Sequence, residues 1–309
     1  MPAIHTLDLQ YLGIPQALAA FVVFDEKRAL GPVLIETGPA STMSPLVEGL
    51  SRLGLAMGDI QHALVTHIHL DHAGAAGQLA RAGAHLHVHE FGARHLADPS
   101  KLIDSARRIY ADQMERLWGT PLPVPPAQVH PVRDDDVIDV AGLQLRAIET
   151  PGHARHHHAF VLEIDDERVC FAGDASGFNA PAVSESFVSV PTPPPEFDLE
   201  AWLSSIDRLR RENFDALYLT HFGRVNNVER HLSRLAEIIP QHAEFVRIRL
   251  DREMPRDMIL REYIDWNRTE SSGHGMNEQD FARYVSRNLL TMNVDGMLRY
   301  WRKKREAAA

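Results

Sequence analysis

Cysteine, long apolar runs and positive charge are all scarce in this sequence, and each scarcity excludes a class of protein. A single thiol, Cys170, cannot form an internal disulfide and excludes metal sites built from several cysteines. It lies in the apolar run RVCFAG, which predicts a buried and unreactive side chain. No stretch approaches the roughly 18 apolar residues of a membrane helix, and the first residues lack the pattern of a secretory signal. We therefore expect no membrane association and a cytoplasmic location.

The shortage of positive charge argues against nucleic acid as a partner. Thirty-two Lys and Arg against 42 Asp and Glu give a formal net charge of −10. The basic run WRKKR at 301–305 stands near the end of the sequence and does not form a stripe that could follow phosphates. With 44% hydrophobic and 24% charged residues, the composition is that of an ordinary globular protein.

The order of apolar runs predicts an α/β fold. Short β runs near 5–9, 18–25 and 32–37 precede an amphipathic helix, and further β runs alternate with helical segments up to about residue 225. Two sheets with helices outside fit this order best. Beyond that point the β pattern stops, so we predict one α/β domain over 1–225, to which the chemistry below belongs, and an α-helical C-terminal extension over 226–309.

A turn in the first half of the chain concentrates metal-binding side chains. Residues 65–77 read VTHIHLDHAGAAG and place His67, His69, Asp71 and His72 between an apolar strand and a helix start. Imidazole and carboxylate are the ligands that zinc accepts in a site without cysteine. At a strand end, this spacing lets the first two histidines reach one ion while the aspartate and the last histidine reach a second. A chance H-x-H-x-D-H in a chain of this composition has a probability on the order of a few per thousand.

This motif resembles the T-H-x-H-x-D-H mark of the metallo-β-lactamase superfamily. Three later segments resemble the rest of the family pattern in the same order: TPGH ending at His153, GD ending at Asp174, and LTHFG containing His221. The similarity extends over roughly residues 3–225. The fold that it implies is an α/β fold, an αββα sandwich of two mixed β-sheets flanked by helices.

The resemblance implies a dinuclear centre that contains zinc, with iron or manganese as alternatives. It assigns the ligands as follows: His67, His69 and His153 to one ion, Asp71, His72 and His221 to the other, and Asp174 to both. Two ions in such a centre activate a shared hydroxide and polarise a carbonyl group. Asp71 is also expected to act as the catalytic residue that orients this water or accepts its proton.

The ligand set favours hydrolysis of a thioester, lactone or other ester of a small molecule, as in glyoxalase II-like thioesterases and acyl-homoserine lactonases. One alternative is a mononuclear iron oxidoreductase of the persulfide dioxygenase type. A phosphodiesterase or nuclease is a further alternative, disfavoured because the acidic chain shows no basic arm. A binding protein without turnover is disfavoured by the full ligand set. The expected partner is the small-molecule substrate, and a homodimer is left open.

Two segments are expected to shape specificity. Residues 100–118 have helical spacing and predict an inserted helix with Tyr110 and Trp118, whereas 178–198 has no periodicity, contains five prolines and predicts an ordered surface loop with Phe178 and Phe187. We expect these four aromatic residues to form a lid and an apolar acyl pocket.

The remaining histidines and one acid are assigned to supporting positions. His85, His87 and His89 alternate in AHLHVHE, so they share one face of a strand, where we interpret them as ordinary surface or supporting side chains. Residues 156–158 are interpreted as supporting or surface histidines and not as ligands. Glu36 stands where the family usually has aspartate, and we expect it to support the ligand turns by hydrogen bonding.

Overall fold

The computed structural model describes residues 2–25, 29–181, 184–285 and 287–308. The strands are β1 (Pro2–Asp8), β2 (Ala19–Asp25), β3 (Val33–Ile35), β4 (His62–Leu64), β5 (His85–His89), β6 (Val129–Val132), β7 (Val137–Val140), β8 (Leu143–Glu149), β9 (His158–Ile164), β10 (Glu167–Phe171), β11 (Phe178–Ala180), β12 (Ser184–Ser189), β13 (Ala216–Leu219) and β14 (Gly223–Val225). The α-helices are α1 (Met43–Arg52), α2 (Leu70–Ala73), α3 (Ala76–Arg81), α4 (Glu90–Ala97), α5 (Ser100–Tyr110), α6 (Met114–Trp118), α7 (Leu199–Arg211), α8 (Val228–Asp251), α9 (Arg256–Gly273), α10 (Glu278–Tyr284) and α11 (Arg287–Ala308).

The chain forms two compact units, and each contains several passages of the chain. The first unit comprises Met1–Glu149, His156–Gly173 and Phe214–Asn226. The second comprises Thr150–Arg155, Asp174–Asn213 and Asn227–Ala309. The predicted division into a domain over 1–225 and an extension over 226–309 stays a prediction.

Two six-stranded sheets make up the centre of the first unit. One has the order β1-β2-β3-β4-β5-β6, with antiparallel pairs at its start and parallel pairs from β3 onward. The other has the order β14-β13-β10-β9-β8-β7, in which only β10 and β13 are parallel. Both sheets are therefore mixed, as the sequence predicted.

Side-chain alternation along β2 shows where the two apolar cores of this unit lie. Phe21 points towards the other sheet, where its ring meets Phe171 at 5.5 Å and Tyr218 at 5.4 Å between centroids. Ala20 and Val22 point the opposite way, into a core that includes Leu46 and Leu50 of α1 and Leu79 of α3. All seven residues of β2 are buried, which explains why the six before Asp25 form an unbroken apolar run.

The second unit contains the helices from α7 onward and a small β-hairpin. Every described element from Val228 onward is helical, as the sequence predicted. The expectation of an irregular loop over 178–198 is wrong, since β11 and β12 pair antiparallel there. The prolines misled the prediction: Pro181 lies in the connecting turn and the others follow β12, so none interrupts the pairing.

The predicted helix over 100–118 is present but interrupted. A 3-10 turn over Ala111–Gln113 separates α5 from α6, and Ala111 has a φ of 45°, outside the helical region. Among the helices that the structure describes, none is both long and apolar enough to cross a bilayer. Cys170 is buried, as its apolar surroundings predicted.

Candidate metal centre

The polar turn with the predicted ligands directly follows strand β4 in the first unit. Leu64 and Val65 are completely buried, and the chain then bends so that His69 is the residue before α2. Asp71 and His72 lie within this four-residue helix. A buried strand on one side and a short helix on the other fix the directions of the polar side chains between them.

Three of the predicted ligands converge within the first unit: Asp71, His72 and His221. Their ligand atoms all lie within 4.8 Å of one another. Asp71 Oδ2 is 3.4 Å from His221 Nε2 and 4.0 Å from His72 Nε2. Ligand atoms bound to one zinc ion at about 2.0–2.2 Å are separated by roughly this much. The set of two nitrogens and one oxygen therefore fits a divalent cation.

Hydrogen bonds at the other ring nitrogen hold two of these histidines in a ligand-ready form. His72 Nδ1 lies 3.0 Å from Glu36 Oε1, and His221 Nδ1 lies 3.2 Å from the carbonyl oxygen of Ala17. Each acceptor favours the tautomer with the proton on Nδ1, which leaves the lone pair on Nε2. Nε2 is the atom that each ring presents towards Asp71, so both orientation and tautomer suit metal binding.

Glu36 holds the ligand turns in place by hydrogen bonds, which confirms its predicted supporting role. Its Oε1 accepts hydrogen bonds from Thr66 Oγ1 at 2.5 Å and Thr220 Oγ1 at 3.2 Å, in addition to His72. Thr66 precedes His67 and Thr220 precedes His221, so one buried carboxylate ties two ligand-bearing turns together. Glu36 adopts a φ of 64°, a strained conformation for a residue other than glycine.

A second nitrogen pair lies in the same turn. His67 Nε2 and His69 Nδ1 are 2.8 Å apart, and His67 Nδ1 lies 3.2 Å from Thr66 Oγ1. Gly173, with a φ of 48°, passes close beneath this turn: a Cβ there would lie 2.5 Å from Thr66 Oγ1. The glycine of the GD segment is thus required by close packing in the first unit.

The two remaining predicted ligands, His153 and Asp174, belong to the second unit. Within it, His153 Nε2 lies 3.3 Å from Asp174 Oδ2, and both side chains are buried. His153 Nδ1 lies 2.9 Å from the carbonyl oxygen of Pro191. This is the same arrangement as at His72 and His221, with Nδ1 anchored to an oxygen and Nε2 facing a carboxylate.

The histidines at 156–158 take supporting positions in the first unit. The buried His157 ring lies 4.9 Å from that of His67 between centroids. His158, His89 and Glu149 bring their ligand atoms within 4.8 Å of one another. His89 Nδ1 accepts a hydrogen bond from the amide of Phe91, however, which places its proton on Nε2, 3.3 Å from Glu149 Oε1. We assign that contact to a hydrogen bond and not to metal ligation.

An aromatic cluster adjoins Asp71, and it includes a residue that sequence reasoning missed. Trp118 stacks on Tyr11 at 5.8 Å and meets Tyr110 edge-on at 5.2 Å. Leu70, the neighbour of Asp71, packs in the same cluster. Burial, and then the negative charge of Asp71, raise the pKa of the hydroxyls of Tyr11 and Tyr110 well above its usual value. Both tyrosines therefore stay protonated hydrogen-bond donors beside Asp71.

Tyr11 offered no local signal, since it stands in a turn near the start of the chain and meets the cluster only through the fold. The other two predicted substrate residues, Phe178 and Phe187, lie on β11 and β12 of the second unit. Phe187 is buried, and Phe178 is partly buried. The structure thus places two of the predicted aromatic residues in each unit.

Two mixed sheets, with histidines and aspartates at the ends of their strands, define the class of metal-binding αββα proteins. The family model described as the metallo-beta-lactamase superfamily matches residues 17–221, and the chain belongs to that superfamily. The predicted family and fold class are both confirmed.

Individual relatives resemble the chain to different extents. The metallo-beta-lactamase fold-containing protein of Sulfurisphaera tokodaii is 25% identical over 272 residues, which cover 85% of this chain and 94% of that protein. A hydroxyacylglutathione hydrolase of Rhodopseudomonas palustris is 33% identical over 135 residues, but these cover only 44% of this chain and 40% of the hydrolase. A crystal structure of a metallo-beta-lactamase family protein from Thermus thermophilus shares the fold with a TM-score of 0.69, at 24% identity, covering 97% of this chain and 93% of that one.

Proposed function

We propose that this protein is a metal-dependent hydrolase that cleaves a thioester, lactone or other ester of a small molecule. The observation that carries the proposal is the convergence of Asp71, His72 and His221, with both histidines anchored through Nδ1. The superfamily pattern adds His67, His69, His153 and Asp174 as the ligands that complete a centre for two divalent cations, for which zinc is the expected metal. Nitrogen and carboxylate donors without sulfur suit zinc, iron and manganese.

The chain's own residues account for most of the chemistry beyond the cations. When bound, two divalent cations supply Lewis acidity at a carbonyl oxygen and lower the pKa of water towards neutrality. Asp71 directs Oδ2 towards His221 and His72, and its side chain is 22% exposed, so water and substrate reach it. We assign to its second oxygen the orientation of the attacking water and the acceptance of its proton. Glu36 contributes indirectly by holding His72.

The proposed substrate class rests on the surroundings of Asp71 and on one relative. The cluster of Tyr11, Tyr110 and Trp118 offers an apolar surface with hydroxyl donors, which suits an acyl group followed by a polar ester or thioester. The Rhodopseudomonas relative is named for hydrolysis of hydroxyacylglutathione, which is a thioester. The net charge of −10 disfavours a nucleic acid substrate.

The proposal is tested by metal analysis joined to a substrate panel. The protein is purified without added metal, its metal content is measured, and thioesters, lactones and phosphodiesters are assayed with the wild type, His69→Ala and the control His95→Ala. We expect at least two divalent ions per chain, turnover of carbonyl esters, and a loss of at least about 100-fold in His69→Ala only. Full activity in His69→Ala would overturn the site, and one iron per chain with oxygen uptake would favour the dioxygenase alternative.

A further inference from the structure

Four histidines outside the candidate centre form a closed group on one face of the first sheet. His62 lies on β4, His85 and His87 on β5, and His130 on the edge strand β6. The strand register pairs His62 with His85 and His87 with His130, so adjacent parallel strands bring the four side chains side by side. Of the two interpretations given for His87, surface or supporting, the first does not hold, since its side chain is buried, whereas the other three are partly buried.

Consecutive rings of the group have centroid separations close to those between neighbouring ligands of one ion. Consecutive ring centroids are separated by 5.9 Å from His62 to His85, 5.0 Å from His85 to His130, 5.0 Å from His130 to His87, and 5.4 Å from His87 to His62. Zinc bonded tetrahedrally to imidazole nitrogens at about 2.0–2.1 Å places neighbouring ring centroids roughly 5 Å apart. The strands bring the four rings to comparable separations, but the ring nitrogens do not converge: no three of them lie within 4.8 Å of one another, so binding of one ion requires the rings to rotate.

The ring nitrogens already meet in pairs. His62 Nδ1 lies 3.2 Å from His87 Nε2, and His85 Nδ1 lies 2.7 Å from His130 Nε2. The first separation is close to the roughly 3.3 Å between two nitrogens on a tetrahedral zinc ion. Both contacts are hydrogen bonds between rings. The outer torsion of a histidine side chain is broad, so the rings can rotate out of these pairs, as binding of one ion requires.

Lowered pKa values suit three of these histidines to binding a cation at neutral pH. Burial and the neighbouring histidines lower the pKa of His62, His87 and His130, and that of His87 falls to about 3. Metal binding requires neutral imidazole, so no proton has to be displaced from these three rings at pH 7. Four adjacent imidazoles also offer only nitrogen donors, which suit zinc, copper and nickel better than magnesium or calcium.

We propose that His62, His85, His87 and His130 form an additional binding site for a borderline divalent cation, with zinc as the type case, separate from the hydrolytic centre. The site is independent of the proposed hydrolytic function, because none of its residues belongs to the seven predicted ligands. Occupancy would link three neighbouring strands and so stabilise this edge of the sheet.

Zinc stoichiometry in the full-length protein tests this site. The wild type, His130→Gln and His62→Gln are dialysed to equilibrium against micromolar free zinc at pH 7, and bound zinc is counted by mass spectrometry, with His95→Gln as the matched control. His130 is chosen because it is partly exposed on an edge strand. We expect each cluster variant to hold one zinc per chain fewer than the wild type and the control, with unchanged hydrolytic activity. Equal zinc content in all four proteins would overturn the proposal.

A measurement on the wild type guards against misfolding of the variants. Histidine ring signals are followed by NMR as zinc is added to protein whose hydrolytic centre is already saturated. The proposal predicts that four ring systems shift together and that the shift is complete after one further equivalent. If no group of four responds, the four histidines are a hydrogen-bonded cluster only and the proposal fails.

Discussion

Glu36 and His72 are joined by a contact of 3.0 Å between Oε1 and Nδ1, and both side chains are buried. The same carboxylate oxygen accepts hydrogen bonds from Thr66 and Thr220, which precede ligand-bearing positions of the chain. One acid therefore sets the tautomer of a ligand and the positions of two turns. Its effect on catalysis is indirect, through the residues that bind the metal.

Replacing Glu36 should weaken metal binding more than it weakens folding of the sheets. In Glu36→Ala we expect metal affinity to fall about 10–100-fold, because partners that orient histidine ligands typically contribute that much. Affinity is measured by competition with a chromophoric chelator. Glu48→Ala, which removes an exposed acid of the same unit, is the control and should bind metal as the wild type does. Equal affinities in Glu36→Ala and wild type would contradict the role assigned to Glu36.

Asp71→Asn separates ligation from catalysis. The amide keeps an oxygen for the metal but cannot accept a proton from the attacking water, so we expect much of the metal to remain while turnover falls by about 100-fold or more. Metal content and kcat are measured on the same preparation. Full activity in this variant would exclude the proton-accepting role of Asp71.

Trp118→Leu tests the aromatic cluster as the acyl surface. Trp118 contacts both Tyr11 and Tyr110, so the smaller side chain should lower kcat/KM for long acyl substrates by about 10-fold. Acetyl substrates, which offer little apolar surface to the cluster, should change by less than about two-fold. Trp266→Leu in the second unit is the control. An equal loss with short and long substrates would show that Trp118 acts through the fold and not through substrate contact.

The stability of the second unit should depend on pH through His242. Burial, and then the positive charge of Arg234, lower the pKa of this ring to about 3, and its Nδ1 lies 2.6 Å from the hydroxyl of Tyr263. Between pH 6.5 and 3 the unfolded chain binds a proton at His242 that the folded chain does not. The free energy of unfolding should therefore decrease as pH falls through this window, by up to roughly 1.4 kcal/mol per pH unit from this group.

Urea unfolding at several pH values measures this dependence. His242→Gln removes the titrating ring. The free energy of unfolding should then decrease less steeply between pH 6.5 and 3, by the amount that uptake of about one proton on unfolding contributes. Parallel curves for the variant and the wild type would mean that His242 is already protonated in the folded protein.

Sequence reasoning succeeded where the chemistry is local and failed where strand pairing creates it. The turn with His67, His69, Asp71 and His72 is legible because its polar residues follow a buried strand directly, and the structure brings His221 to it as the family pattern implied. Tyr11 carried no such signal. Its place beside Trp118 depends on contacts between segments more than 100 residues apart in the sequence.

The four-histidine group illustrates the same limit. Alternation in AHLHVHE predicted a shared face for His85 and His87, but nothing local placed His62 and His130 beside them. That neighbourhood follows from the order and register of β4, β5 and β6, which the sequence alone did not determine. The hairpin of β11 and β12 was missed for a different reason, because prolines outside the strands concealed a short pairing segment.

The most direct test of the central claim is a titration of metal-free protein with zinc in which thioester hydrolysis and bound metal are measured together. If Asp71, His72, His221 and the other predicted ligands hold the cations that drive hydrolysis, activity should be absent without metal and should rise as metal binds, reaching its plateau once about two ions per chain occupy the hydrolytic centre. The four-histidine variant His130→Gln should give the same plateau activity. Hydrolysis by the metal-free protein at the rate of the loaded protein would contradict the account.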